Sequence, residues 1–120
     1  MRSQLCIYDL ATGVVEEVLS TPRLIEAPNW MSDGSSLVVN GDGRMFRIPL
    51  DAPELGAIET GHAVDCNNDH GISPDGTRLV ISDSTDTGQS CIWMLPVAGG
   101  TPRQITAEVP SWWHGWSPDG

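Results

Sequence analysis

Short apolar runs separated by polar turns make up the whole chain. Leu37-Val38-Val39 and Leu79-Val80-Ile81 are too short for helices and rich in β-branched residues, so they predict buried strands. A further strand is expected after each, at Met45-Phe46-Arg47-Ile48-Pro49-Leu50 and at Cys91-Ile92-Trp93-Met94-Leu95. Gly41-Asp42-Gly43 joins the first pair with a tight-turn signal, and the polar stretch from Asp83 to Gln89 joins the second. A fourth strand is expected near Ala57-Ile58-Glu59-Thr60 and near Arg103-Gln104-Ile105-Thr106, the latter set off by Gly99-Gly100. No segment shows a helical period.

The turns repeat. Asn29-Trp30-Met31-Ser32-Asp33-Gly34 returns as Gly71-Ile72-Ser73-Pro74-Asp75-Gly76 and again as Gly115-Trp116-Ser117-Pro118-Asp119-Gly120. The closing glycines are 42 and then 44 residues apart. Turn chemistry explains the residue types: Pro presets the first corner, Asp bonds back to the backbone, and Gly accepts a positive φ. Four short strands per unit of about 43 residues is the pattern of a propeller blade. The start of the chain supplies a third strand at Leu5-Cys6-Ile7-Tyr8-Asp9-Leu10, a turn at Ala11-Thr12-Gly13 and a fourth strand from Val14 to Leu19. The expected organisation is one all-β partial β-propeller domain of about two and a half four-stranded blades. It divides into a half blade over 1–20, blades over 27–61 and 69–107, and the first strand of another over 112–120.

Trp116-Ser117-Pro118-Asp119-Gly120, Ile92-Trp93 and Gln104-Ile105-Thr106 resemble the repeat of the TolB-like propeller family. The resemblance runs along essentially the whole chain. In the first copy Met31 and Ser32 stand where the family repeat has Ser-Pro. The resemblance implies six blades and a complete protein of about 250–300 residues. The chain is therefore expected to be a fragment, or to need a second chain or further blades to close the ring, because each blade buries its faces only against neighbours.

A net charge of −10 argues against nucleic acid and against an anionic membrane surface, since both select basic patches. Cys6, Cys66 and Cys91 are odd in number and lack metal-ligand spacing. Cys6 and Cys91 fall at matching places in third strands, where a small buried apolar residue is wanted. Free thiols and the lack of a secretion-signal pattern make the cytoplasm the expected compartment. The periplasm stays open for a longer chain.

Candidate chemistry comes from register. His70 and His114 each stand two residues before the last residue of a first strand, Ile72 and Trp116, so they are equivalent on adjacent blades. First strands lie nearest a propeller's axis, and both imidazoles are expected to face one central pocket. Asp69, His70, Trp113 and His114 are the candidate ligand contacts. Imidazoles and a carboxylate suit a divalent metal, which makes His70 and His114 candidate metal ligands. Pro28 holds the equivalent place in the earlier blade and offers no ligand. The alternative is that both histidines are hydrogen-bonded structural groups. Trp112 and Trp113 fall off the repeat pattern and are contact candidates, whereas Trp30, Trp93 and Trp116 are expected in the core. His62 is expected at the surface.

Other motifs fail. Gly71-Ile72-Ser73-Pro74-Asp75 lacks the closing glycine and the following helix of a nucleophile elbow. The loop from Asp83 to Gly88 lacks the ligand spacing of a calcium loop. No catalytic residue is assigned and no cofactor is required. The leading expectation is a non-enzymatic binding module, taking a protein, a small molecule or a saccharide at the central channel. The runner-up is a metal-assisted lyase or hydrolase acting on an acidic saccharide through channel-facing histidines.

Overall fold

The computed structural model describes all 120 residues. Ten strands form and no helix does: β1 (Ser3–Tyr8), β2 (Val15–Thr21), β3 (Glu26–Trp30), β4 (Ser36–Gly41), β5 (Arg44–Pro49), β6 (Gly56–Ala57), β7 (Cys66–Ile72), β8 (Arg78–Asp83), β9 (Cys91–Pro96) and β10 (Arg103–Gln104). β1 and β2 pair as a hairpin. β3-β4-β5-β6 and β7-β8-β9-β10 are four-stranded sheets in sequential antiparallel order. These are the half blade and the two blades that the spacing predicts. The fourth strands are shorter than expected, two residues each. Residues 112–120 carry no strand, contrary to expectation. A strand is defined by its ladder, and none of the ten strands pairs with this segment.

Local chemistry sets the turns. Between β4 and β5, Asp42 and Gly43 both take positive φ, 49° and 74°, which is the two-residue turn that matches strand twist. In the turn from β7 to β8, the Asp75 carboxylate accepts from Ser73 Oγ, from Thr77 N at 3.0 Å and from Thr77 Oγ1 at 2.8 Å. The bond from the Ser73 hydroxyl is the largest cause holding the Asp75 carboxyl down at about 2. In the turn from β3 to β4, Asp33 makes the matching bonds to Ser35 N and Oγ, at 2.9 and 2.7 Å. Met31 stands where Ser73 does, so this copy lacks the hydroxyl bond.

The core lies between blades. Val38, Met45 and Ile58 of the first blade meet Leu79, Ile81, Trp93 and Leu95 of the second. Leu37, Val39, Phe46 and Ile48, on the other face of the first blade, meet Leu5, Val18 and Leu19 of the hairpin. Alternate residues of β4 therefore serve two cores, and all six of its residues are buried. The linker into the second blade is fixed by a buried charge. Asp83, at the end of β8, accepts from Asp65 N at 2.8 Å, Thr85 N at 2.9 Å and Thr85 Oγ1 at 3.1 Å. Those donors compensate the loss of water around the carboxylate.

Two expectations fail at the outer face of the hairpin. Cys91 is buried but its counterpart Cys6 is exposed. Trp93 is in the core, whereas Trp30 is half exposed. β1 packs on the first blade through Leu5 and β3 packs on β7, but neither contact covers Cys6 or Trp30. Burial there depends on a neighbour that the described residues do not provide.

Candidate functional site

β3 and β7 are the edge strands that begin each sheet, and β7 packs against β3 and β4 of the preceding blade. Ladder register shifts within both, between Glu26 and Asn29 in β3 and between Cys66 and His70 in β7. Such irregularities re-aim side chains. In β3 the shift coincides with Ala27 at a φ of 50°. In β7 it delivers His70 into the seam between blades, where the residue is 2% exposed.

The His70 ring is held at both nitrogens. Nε2 lies 3.2 Å from Asn40 Oδ1 and Nδ1 lies 3.4 Å from Asn29 Nδ2. Asn29 Nδ2 also donates to the Ala27 carbonyl at 2.9 Å, and Asn40 Nδ2 donates to Glu26 Oε2 at 3.4 Å. This network selects one neutral tautomer, with the proton on Nε2 and Nδ1 accepting. Burial pushes the His70 pKa down to about 4. The expectation that His70 faces a central pocket is thereby corrected. The ring crosslinks two blades, and a metal bound there would displace an amide from one nitrogen. The residues do not fit a metal centre. No group of three or more His, Cys, Asp or Glu side chains is placed to hold an ion.

The next seam uses different chemistry at matching positions. Ser82 corresponds to Asn40 and Gly71 to Asn29. Ser82 Oγ accepts from Trp113 N at 2.9 Å. The Trp113 indole lies across Gly71, where a Cβ would sit 2.0 Å from Cη2. Trp113 is half-buried, while Trp112 and His114 on either side of it are exposed. Asp69, half-buried, has its N–H on Asn67 Oδ1 at 2.9 Å. Asn67 Nδ2 reaches Ser90 Oγ at 3.4 Å, and the Ser90 carbonyl accepts from Ser111 N at 2.8 Å. Asp69, Gly71 and Trp113 are thus brought into one neighbourhood. His70 and His114 are separated by burial, one in a seam and one in solvent.

Asn29 and Asn40 were not among the residues expected at the site. A signal for Asn40 exists: it is an amide directly continuing the apolar run Leu37-Val38-Val39. His62 is exposed as expected. Its ring meets Trp93 edge-on at 4.6 Å, and Nε2 is 3.3 Å from Asp86 Oδ2.

No family model matches the chain. An uncharacterised protein of Agrobacterium fabrum is 50% identical over 121 residues, spanning all of this chain and 41% of that protein. The solved structure of a putative TolB from Agrobacterium tumefaciens superposes with a TM-score of 0.97 at 50% identity, over all of this chain and 44% of that one. TolB from Acinetobacter baumannii superposes with a TM-score of 0.67 at 23% identity, over 82% of this chain and 25% of that one, a likeness of fold alone. The chain spans about two-fifths of the length of the Agrobacterium proteins that it resembles.

Proposed function

From a chain that is TolB-like in fold and spans part of a β-propeller, we propose a non-enzymatic interaction module that receives a peptide or loop of a partner protein at the inner end of its blades. One observation carries this reading. Trp113 is anchored across Gly71 and by Ser82, and it holds Trp112 and His114 out to solvent on either side. An aromatic face beside an imidazole, with the Asp69 carboxylate in the neighbouring blade, suits a peptide carrying apolar and basic side chains. His70 supports this surface from within the seam rather than touching the ligand. The likeness to TolB proteins supports an interaction role, and the uncharacterised relative adds no function.

The test is selection of peptides from a displayed random library against the intact chain, followed by titration against Trp112→Ala and His114→Ala. Selected peptides are expected to bind the variants at least about tenfold more weakly, as for loss of an aromatic anchor. Peptides that bind both variants as well as the parent would overturn the reading. So would divalent-metal-dependent cleavage of an acidic oligosaccharide that disappears in His114→Ala.

A further inference from the structure

The two complete blades enclose a cleft at the far edge of their seam. β6 ends the first sheet and β10 the second, away from β3 and β7. Between β6 and the turn that follows β9 lies a cleft of about 260 Å³. Pro49 and Ile58 line it from the first blade, and Val97 and Ala98 from the second. Arg47 and Glu54 are its charged groups. The wall from the second blade is fastened in place. Gly100 N donates to the Glu59 carbonyl at 2.8 Å. Gly99, at a φ of 101°, sits so near that a Cβ on it would lie 3.0 Å from the same oxygen. The cleft is thus pre-formed by backbone contacts, as ligand sites usually are.

Arg47 is anchored on one side and unmet on the other. Its Nε donates to Ser36 Oγ at 2.8 Å, and Nη2 lies 3.5 Å from Ser35 Oγ. Ser36 is fully buried, so the guanidinium is held from beneath. Two of its five N–H donors are thereby used, and the others remain for a ligand. The ion pairs of the chain join His62 to Asp86 and Arg78 to Asp75, which leaves Arg47 without a carboxylate partner. Glu54 is unpaired as well: its backbone carbonyl accepts from Gly56 N at 3.2 Å, and its carboxylate takes no part.

Unpaired charges of opposite sign beside apolar walls complement a molecule that carries both charges and an apolar body. A simple anion suits the place less. Asp33 holds Ser35 Oγ at 2.7 Å, Asp51 lines the cleft on the other side of Arg47, and the chain as a whole carries −10. A zwitterion brings no net charge into that field. Size points the same way. The cleft equals about nine water volumes of ~30 Å³ each, and lies below the ~300–1,000 Å³ of sites for drug-sized ligands.

We propose that this cleft binds a free aliphatic α-amino acid. Arg47 takes the carboxylate through its terminal N–H groups, Glu54 takes the ammonium, and the side chain lies against Pro49, Ile58 and Val97. The site stands apart from the surface at Trp112 and His114 and does not rest on that reading.

Chemical-shift titration of the isotope-labelled intact chain with L-leucine is the test. L-leucinamide, which lacks the carboxylate, and N-acetyl-L-leucine, which lacks the ammonium, are run beside it. L-leucine is expected to bind saturably with a Kd of about 1 mM or tighter, shifting the amides of Ala57, Ile58, Val97 and Ala98. Each derivative should bind at least about tenfold more weakly. Glu54→Gln, at an exposed residue, should weaken L-leucine about tenfold and N-acetyl-L-leucine not at all. Arg47→Lys, which loses the planar fork, should weaken L-leucine and leave L-leucinamide unaffected. The proposal is overturned if L-leucine gives no saturable shift up to about 10 mM, or shifts only Trp112 to His114. It is also overturned if either derivative binds as tightly as L-leucine, or if Glu54→Gln leaves the affinity unchanged. Because Glu54 is exposed, that variant reads the site even where Arg47→Lys fails to fold.

Discussion

Gly71 and Trp113 share one space: a methyl group on residue 71 would lie 2.0 Å from the far edge of the indole. The glycine is required here for the close approach of a side chain from the next segment. Gly71→Ala should force the ring out of its seat, at a cost of about 1–3 kcal/mol, typical of overpacking a filled site. Denaturant unfolding monitored by tryptophan emission checks this. An unchanged midpoint and spectrum would contradict the packing described.

The imidazole between Asn29 and Asn40 makes folding sensitive to acid. In the unfolded chain His70 takes a proton at its ordinary value of 6.5, whereas in the seam it resists until about 4. Between those values the unfolded state binds more protons, so stability rises with pH. The contribution is full above about pH 6.5 and is lost as pH falls toward about 4, to a total of about 3 kcal/mol. A proton on Nδ1 would also confront the Asn29 amide with a second donor. His70→Gln should flatten this part of the profile while leaving the acid titration of the carboxylates. Urea midpoints at pH 7 and pH 4.5, parent against variant, read the difference directly.

The two Asp turns are unequal. Asp75 gathers the Ser73 hydroxyl and both polar groups of Thr77, whereas Asp33 gathers only Ser35. Asp75→Ala is therefore expected to lower the melting temperature more than Asp33→Ala. Asp75→Asn, which keeps an acceptor oxygen, should fall between Asp75→Ala and the parent. Scanning calorimetry of the three variants tests that ranking.

Thiol chemistry offers a fourth check. Burial and the neighbouring Asp83 carboxylate push the Cys66 thiol well above its ordinary range. Cys91 is enclosed, with Thr106 and Gln104 against its sulfur. Only Cys6 should react with iodoacetamide in the native chain at pH 8, and all three should react in denaturant. Mass spectrometry counts the adducts.

How much of this was legible follows from what each feature depends on. The turns at Asp33-Gly34 and Asp75-Gly76 depend on residues within a few positions, so their repetition revealed the sheets. The burial of Leu37, Val38 and Val39 followed from their run of β-branched and aliphatic side chains. The direction of His70 did not follow, because strict alternation along β7 breaks at the register shift after Cys66. Nor did the exposure of Cys6, which matches Cys91 in sequence position but lacks a packed sheet on its outer face. Local chemistry was readable, whereas a side chain aimed by a bulge or covered by a distant segment was not.

The seams also carry a consequence for how such a molecule can be rearranged. One pairs two amides with an imidazole, and the next pairs glycine and serine with an indole. Exchanging the repeated units would drive a bulky ring onto Asn29 and leave a hollow beside Gly71. Kinship between the modules therefore does not make them interchangeable. Each accepts only its own successor, and the order of stacking around the axis is written into these mismatched locks.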